Sequence, residues 1–426
     1  MNKVKLVDVS ELITKGTTPT TVGGKFTPKG IKFIKSESIT DSKFLNKSLY
    51  EHISEETDEK LKRSRLKKND LLFSIAGAYL GKIAIVRDCD LPSNTNQAVA
   101  IVRVNEKKAD IDYLYYYFSQ KHINQYINTL SSQSSQPNLN LELLGNLEYE
   151  NIPIKEQKRI SKILSLLDDK IENNNKINEE LEAMAKTIYD YWFLQFEFPN
   201  EEGKPYKSSG GKMVWNEELK REIPEGWKCG TIGNLFSSQS GYAFKSSNWT
   251  ENGYPVLTIK CINEDGTINM QESSYIKEYI DSFNKYSVKN GNMIFAMSGN
   301  TIGKLGIIAS NINNILINQR ILIIKTNINN MAYSYFTIKN DKIQNNIVQL
   351  GANSAQPNIS EDLLRNIKIC LPNTKYLDNY NNICKIIFEK IITNRIENEE
   401  LTSIRDFLLP LLMNGQVGFK EVGLAL

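Results

Sequence analysis

The sequence predicts an α/β or α+β protein built from two similar globular domains, each followed by a long helix. Three observations lead to this prediction: an internal repeat, short β-branched apolar runs inside each copy of the repeat, and a heptad-like apolar spacing after each copy. The length of 426 residues fits two or three domains at about 150 residues each.

The repeat is one unit of about 200 residues that occurs twice, a period far longer than that of solenoid proteins. LKKNDLLFSIAGAYLGKIAIV, at 66–86, aligns with VKNGNMIFAMSGNTIGKLGII, at 288–308. A Gln-Pro-Asn loop follows in each copy, at 136–138 and 356–358. The repeat predicts two halves related by pseudo-two-fold symmetry.

Within each copy the apolar runs are short and are bounded by Gly, Asn or Pro, as at 71–75, 83–86 and 321–324. Runs of this length and composition are typical of strands. The segment 112–130 instead carries aromatic and apolar residues at helical spacing. Each globular half is therefore expected to mix strands and helices.

After each copy, apolar residues recur every three or four positions and define a seam, with Asn174 and Asn394 at equivalent places. Helices of roughly 40 residues would be about 60 Å long, more than the width of a small domain. Domain termini usually lie close together, so the two helices should run antiparallel as a coiled coil. Two ordinary amphipathic core helices remain the alternative. The predicted seam comprises Ile160, Ile163, Leu167, Asn174, Ile177, Leu181, Met184, Ile188, Ile383, Ile387, Asn394, Leu401, Ile404 and Leu408.

These patterns divide the chain into six segments, because a Gly-, Pro- and Ser-containing stretch separates the first helix from the second globular half. The predicted segments are a first globular domain at 1–153, a long helix at 154–197, a connector at 198–227, a second globular domain at 228–372, a second long helix at 373–415 and a tail at 416–426.

Composition excludes several classes of protein. Hydrophobic residues make up 40% and mean hydropathy is −0.39, without an apolar run long enough for a membrane span, so we expect a cytoplasmic protein that does not contact membranes. Five dispersed cysteines and two histidines argue against a disulfide framework, a zinc site and a His-based catalytic triad. The net charge of +3 permits nucleic-acid binding without arguing for it.

GAYLGK (77–82) and GNTIGK (299–304) superficially resemble a phosphate-binding loop. Such a loop needs four residues between its glycines and a Ser or Thr after its lysine, whereas here three residues intervene and Ile83 or Leu305 follows. A glycine turn between strands is the preferred interpretation, and an enzyme that uses these turns remains an alternative. We expect no catalytic, metal or cofactor site in this chain.

The order and duplication of these motifs resemble the DNA-specificity subunit of type I restriction-modification systems over essentially the whole chain. The resemblance rests on the Gln-Pro-Asn loops, on a Pro-x-x-Glu-Gln-x-x-Ile helix entry that begins at Pro153, and on IPEGW at 223–227. The second helix departs from this pattern, with Lys375-Tyr376 and Asp378-Asn379 at its entry.

The resemblance implies two target-recognition domains held apart by the coiled coil, each of which reads half of a double-stranded DNA site. It also implies two adenine methyltransferase subunits that bind S-adenosylmethionine and, where the system has them, two restriction subunits that use ATP and Mg. Because the two copies differ in sequence, the target should be bipartite and asymmetric. The alternative is a structural or adaptor coiled-coil protein without sequence-specific DNA binding.

Candidate DNA-binding residues come from the basic run KLKRSRLKK at 60–68 and from the polar and glycine turns that both copies retain. Asn and Gln can pair with adenine in the major groove, and lysines can neutralise phosphates. The candidates are Lys35, Lys67, Lys68, Ser74, Gly77, Tyr79, Lys82, Gln136, Asn138, Lys260, Ser298, Asn300, Lys304, Gln356 and Asn358.

Overall fold

A computed structural model describes residues 2–131, 138–326, 331–352 and 357–418. Its internal contacts divide the chain into unit 1, formed by 1–170 and 401–426, and unit 2, formed by 171–400. Each unit therefore combines one copy of the repeat with parts of both long helices. The predicted scheme treats the helices as separate segments, and those segment boundaries stay a prediction.

Unit 1 contains short strands, as the β-branched runs predicted. They are β1 (Asn2–Lys5), β2 (Ser10–Lys15), β3 (Phe26–Ile34), β4 (Glu51–Ile53), β5 (Asp70–Ser74), β6 (Ile83–Ile85), β7 (Ser93–Thr95), β8 (Val99–Val104) and β9 (Glu148–Asn151). The main sheet is antiparallel in the order β2-β8-β5-β6, β4-β3-β7 form a second sheet in which β3 and β7 are parallel, and β1 pairs with β9.

The main sheet of unit 1 is covered on both faces, which explains why β5 is buried along its whole length. Leu71 and Phe73 join the cluster that includes the helices, while Leu72 between them joins the cluster beneath the second sheet. The helices of this unit are α1 (Glu55–Lys60), α2 (Ile111–Phe118), α3 (Lys121–Ser131) and α4 (Leu141–Gly145), and the chain then enters the long helix α5 (Ile154–Tyr189).

Unit 2 begins within α5 and continues with a π-helical turn at Asp190–Leu194. Its strands are β10 (Met213–Asn216), β11 (Arg221–Pro224), β12 (Lys228–Thr231), β13 (Ser237–Ser240), β14 (Trp249–Thr250), β15 (Tyr254–Leu257), β16 (Ser274–Ile276), β17 (Ser287–Val288), β18 (Met293–Ala296), β19 (Leu305–Ile307), β20 (Ile315–Ile317), β21 (Ile321–Lys325) and β22 (Lys368–Leu371). Its helices are α6 (Met331–Lys339), α7 (Asp341–Gly351), α8 (Glu361–Arg365) and the long α9 (Thr374–Met413).

The main sheet of unit 2, in the order β13-β21-β18-β19, repeats that of unit 1 strand for strand. Here too alternate residues of the central strand enter different clusters: Met293 and Phe295 pack with the helices, and Ile294 packs on the other face. The second sheet is larger than in unit 1, with the order β14-β16-β15-β20-β17. The sequence repeat is thus a repeat of topology.

The connector before the second repeat is ordered. β10 and β11 form an antiparallel hairpin, and Phe198 stacks on Trp227 with 5.0 Å between ring centroids. Trp227 is buried, whereas Trp215 on the hairpin is 58% exposed. No described helix is long and apolar enough to cross a bilayer.

The long helices run antiparallel within each unit. In unit 2, Asn174 on α5 hydrogen-bonds Glu397 on α9, and Asn178 further along α5 bonds the earlier residue Asn394 of α9. In unit 1, Asp168 on α5 pairs with Arg405 on α9. Asn174 and Asn394 are both buried, and because each has a polar partner they fix which residues of the two helices face each other.

The predicted seam is wrong in phase at four residues: Ile163, Met184, Ile383 and Ile404 are 36%, 58%, 45% and 48% exposed. Several of the buried positions are occupied by polar residues. A seam predicted from apolar residues alone is therefore displaced by about one residue from the buried face of the helix. Gln157, Ser161, Asp168 and Asn178 are all buried on α5. Of the other predicted residues, Ile160 is buried and those that are half-buried are Leu167, Ile177, Leu181, Ile188, Ile387, Leu401 and Leu408.

Candidate DNA interface

In unit 1 the GAYLGK segment is a turn between two buried strands. The chain leaves β5, forms a 3-10 turn at Gly77–Tyr79 and returns as β6. Gly77 and Gly81 have φ of 77° and 83°, in the left-handed region where residues with a Cβ are strained. The glycine spacing is therefore explained by the backbone of the turn.

The second glycine of the turn is also held by a helix. Asn124 on α3 donates a hydrogen bond to the Gly81 carbonyl at 2.9 Å, and a Cβ on Gly81 would lie 2.8 Å from Asn124 Nδ2. Unit 2 repeats this contact, because Gln344 on α7 donates to the Gly303 carbonyl at 3.1 Å. Both turns are thus fixed at the same point.

The asparagine of each Gln-Pro-Asn loop lies against the glycine turn. Asn138 forms an isolated antiparallel bridge with Ala76, and Asn358 forms the corresponding bridge with Ser298. Asn138 and Asn358 are exposed. Gln136 and Gln356 lie outside the described residues. The structure therefore brings together, in both units, two motifs that are far apart in sequence.

The lysine that ends each turn is paired with a carboxylate. Lys82 Nζ lies 3.0 Å from Asp41 Oδ2, and Lys304 Nζ lies 2.7 Å from Glu264 Oε1. The lysine side chains are 28% and 21% exposed, while the carboxylate side chains are 90% and 85% exposed. Lys82 Nζ also lies 5.6 Å from the ring centroid of Tyr79. Each lysine is thus held at the turn by an acid at the surface.

The serines and the remaining turn residues differ in their access to solvent. Ser74 is fully buried and its Oγ has no hydrogen-bond partner among the described residues, so it does not belong to the exposed surface of the turn. Its burial follows from its place at the end of β5, between two packed faces. Ser298 and Tyr79 are half-buried, whereas Gly77 and Asn300 are exposed.

The basic run at 60–68 is largely neutralised by nearby acids, as expected of a solvated surface. Its ion pairs are Lys60 with Glu56, Lys62 with Glu59, Arg65 with Asp58 and Glu59, and Lys68 with Asp88. Lys35 pairs with Glu51 at 2.5 Å. Lys67 and Lys260 are exposed and, within the described part of the chain, have no ion-pair partner.

Sequence reasoning missed Asp41 and Glu264, although a signal existed. The two acids stand at equivalent places of the repeat, since each follows an isoleucine by two positions, at Ile39 and Ile262. Local spacing could not reveal that these acids contact the lysines, because the residues are distant in sequence. Aligning the two copies of the repeat was the only signal that could have pointed to them. The sequence analysis also did not identify Asn124 and Gln344, which occupy equivalent places on α3 and α7.

The profile of the family described as "Type I restriction modification DNA specificity domain" matches two segments of the chain, 1–183 and 224–405. The chain belongs to this family. The two matched segments coincide with the two copies of the repeat, so each unit carries one specificity domain of the subunit.

Relatives of this specificity subunit match it from end to end. The type I restriction enzyme MjaIX specificity subunit of Methanocaldococcus jannaschii is 27% identical over 425 residues, which cover 98% of this chain and 94% of the relative. The HindI specificity subunit of Haemophilus influenzae is 23% identical and covers 91% and 94% of the two chains. The crystal structure of an S subunit from M. genitalium superposes with a TM-score of 0.55 at 17% identity, covering 96% and 95%, which shows a shared fold.

Proposed function

We propose that each unit binds one half of a bipartite double-stranded DNA sequence, and that the subunit positions adenine methyltransferase partners on that sequence. The observation that carries the proposal is the duplicated surface that joins the GxxxGK turn, the asparagine and the lysine, once in each unit. Lysines can neutralise DNA phosphates, and asparagines can form paired hydrogen bonds with the major-groove edge of adenine. A DNA-bound role of this kind would be carried out in the cytoplasm.

Exposed side chains of different chemistry in the two units support unlike half-sites. In unit 2, Tyr242, which forms a backbone bridge with Asn318, packs on Phe244, Phe283 and Tyr286 with ring centroids 4.9–5.2 Å apart, and Tyr242 is 38% exposed. Unit 1 instead presents the ion-paired run at 60–68. Two surfaces of different chemistry favour two different base sequences, hence an asymmetric target.

The long helices expose apolar side chains at equivalent places, which supports two copies of one protein partner. Ile163 and Leu166 on α5 are 36% and 59% exposed, and Ile383 and Ile386, at the matching places on α9, are 45% and 72% exposed. Residues three apart on a helix are neighbours, and clustered exposed apolar groups mark interaction sites. The methyltransferase partners would supply S-adenosylmethionine binding, and restriction partners, where the system has them, ATP and Mg.

The DNA part of the proposal is tested by reconstituting the subunit with its methyltransferase and mapping methylated adenines. We expect two different half-sites separated by an unread gap. Asn358→Asp in unit 2 should relax or change one half-site only, with Asn138→Asp in unit 1 acting on the other. A palindromic target, or both half-sites altered by one substitution, would contradict the proposal. Unselective methylation by the wild-type complex would favour the adaptor alternative.

The partner sites are tested by the mass of the complex. Leu166→Asp and Ile386→Asp should each remove one methyltransferase subunit, and the double variant should remove both. Leu49→Asp is the matched control, because Leu49 is 44% exposed and lies in the globular part of unit 1. An unchanged mass in the double variant would exclude these residues as the docking sites.

A further inference from the structure

Both units contain the same arrangement of a partly buried lysine and an exposed acid. Lys82 with Asp41 and Lys304 with Glu264 stand at equivalent places of the repeat. The acid is Asp in one copy and Glu in the other, so the shared feature is the negative charge beside the lysine.

Stability is a poor explanation of these pairs. Among the described residues, neither Asp41 nor Glu264 has another hydrogen-bond or ion-pair partner. Ion pairs with a solvent-exposed member contribute little to folding, because water and salt screen the attraction. Because each carboxylate is held only by its lysine, separating the pair costs little free energy when a phosphate competes for the lysine.

We infer that Asp41 and Glu264 are positioning residues that act as built-in counter-ions of two phosphate-binding lysines. The inference rests on the proposed function, since it takes both turns to face DNA. In the free subunit each acid holds the flexible lysine at its turn. On binding, a DNA phosphate displaces the acid and takes its place.

This exchange has a measurable signature in the salt dependence of binding. A lysine that neutralises a phosphate normally releases a cation from DNA and adds about one unit to the slope of log K against log salt. Here the displaced carboxylate takes up a cation from solution, so the two effects cancel. The lysine therefore adds little to the slope while its acid is present.

The test measures binding of the subunit–methyltransferase complex to a short fluorescent duplex of unrelated sequence, by anisotropy over a range of salt. Asp41→Asn and Glu264→Gln should each tighten binding about fivefold at low salt and steepen the slope by about one unit. Glu217→Gln is the matched control, since it removes one acid from an exposed pair with Lys220 in the connector hairpin. A slope equal to that of the control in both variants would overturn the inference.

Lysine variants separate failure of the inference from failure of the proposed interface. Lys82→Gln should leave the slope of the wild-type complex nearly unchanged, and should remove the extra unit in the Asp41→Asn background. If Lys82→Gln lowers the wild-type slope by a full unit, the lysine binds phosphate without a competing acid and only the inference fails. If Lys82→Gln and Lys304→Gln change neither affinity nor slope in either background, the turns do not face DNA and the proposed interface fails as well.

Discussion

The two units attach their globular part to the helix pair through a buried tyrosine, but the two tyrosines stand one position apart in the repeat, since Tyr335 aligns with Tyr115 and Tyr116 aligns with Phe336. In unit 1, the Tyr116 hydroxyl donates to Asp168 at 2.5 Å, and Arg405 donates to the same carboxylate at 2.7 Å. In unit 2, the hydroxyl of Tyr335, on the corresponding helix α6, donates to Glu182 at 2.9 Å, and Lys339 lies 2.9 Å from that carboxylate. Both units thus join a tyrosine, a carboxylate and a cation.

The elements that supply these groups differ between the units. Arg405 comes from α9, so the cluster of unit 1 ties both long helices to α2, whereas Lys339 comes from α6, next to its own tyrosine. Burial keeps both tyrosines protonated as donors, and it raises the pKa of Tyr335 to about 12. A buried hydroxyl needs an acceptor, and both units meet this need although neither the tyrosine nor its acceptor stands at the same place of the repeat.

Asp168→Asn should produce the largest loss of stability, because it leaves the partly buried Arg405 without its buried counter-charge. Asp168 is 7% exposed and Arg405 is 20% exposed at the side chain. Removing one partner of such a pair costs about 3–5 kcal/mol. All four tryptophans lie in 171–400, so the loss should appear in urea unfolding followed by circular dichroism, with little change in tryptophan fluorescence.

The control for this change is Asp406→Asn, which removes the other, half-exposed acid beside Arg405. We expect a loss under about 1 kcal/mol, as for exposed pairs. Equal losses of stability for the two variants would show that the burial of Asp168 does not strengthen its pair with Arg405.

Glu182→Gln should cost less, about 1–2 kcal/mol, because the Glu182 and Lys339 side chains are 25% and 33% exposed. Water can reach Lys339, and the glutamine oxygen can still accept from Tyr335. The shift should appear in tryptophan fluorescence during urea unfolding, since this cluster lies in unit 2. Glu179→Gln on the exposed side of the same helix is the control. A loss for Glu182→Gln as large as that of Asp168→Asn would show that the two clusters contribute equally to stability despite their different burial.

The sequence predicts the repeat, the strands and the long helices because these depend on local spacing. The run at 71–75 becomes β5 at Asp70–Ser74, and the first long helix begins directly after Pro153, whose carbonyl accepts from Gln157. The glycine turns were also correctly predicted as turns between strands, since left-handed backbone is a property of glycine itself.

The seam and the candidate surface were harder to predict because they depend on contacts between distant residues. Asp168 is buried only because Tyr116 and Arg405, which are distant from it in sequence, satisfy its oxygens. Apolar periodicity does not identify a buried aspartate, so it places the predicted seam at residues such as Ile163, which is exposed. The pairing of Lys82 with Asp41 likewise exists only in the fold.

The reactivity of the cysteines tests how tightly α9 packs in the core of unit 2. Of the changes predicted here, this one should have the smallest effect on the protein. Cys89 in unit 1 is exposed, whereas Cys384 on α9 is fully buried beside Tyr380, and burial raises the pKa of Cys384 to about 11. A raised pKa means less thiolate, so at pH 8 only about 0.1% of Cys384 would be reactive. Iodoacetamide should therefore modify Cys89 within minutes and leave Cys384 unmodified, as peptide mass spectrometry would show.

The matched control is Cys89→Ser, which should remove the fast modification and leave the rest of the pattern unchanged. In urea every cysteine should react, because unfolding exposes the thiols and returns the pKa of Cys384 toward its ordinary value. Rapid modification of Cys384 in the native protein at pH 8 would show that this part of α9 opens. In that case α9 would pack less tightly in unit 2 than the buried positions of Tyr380 and Phe388 indicate.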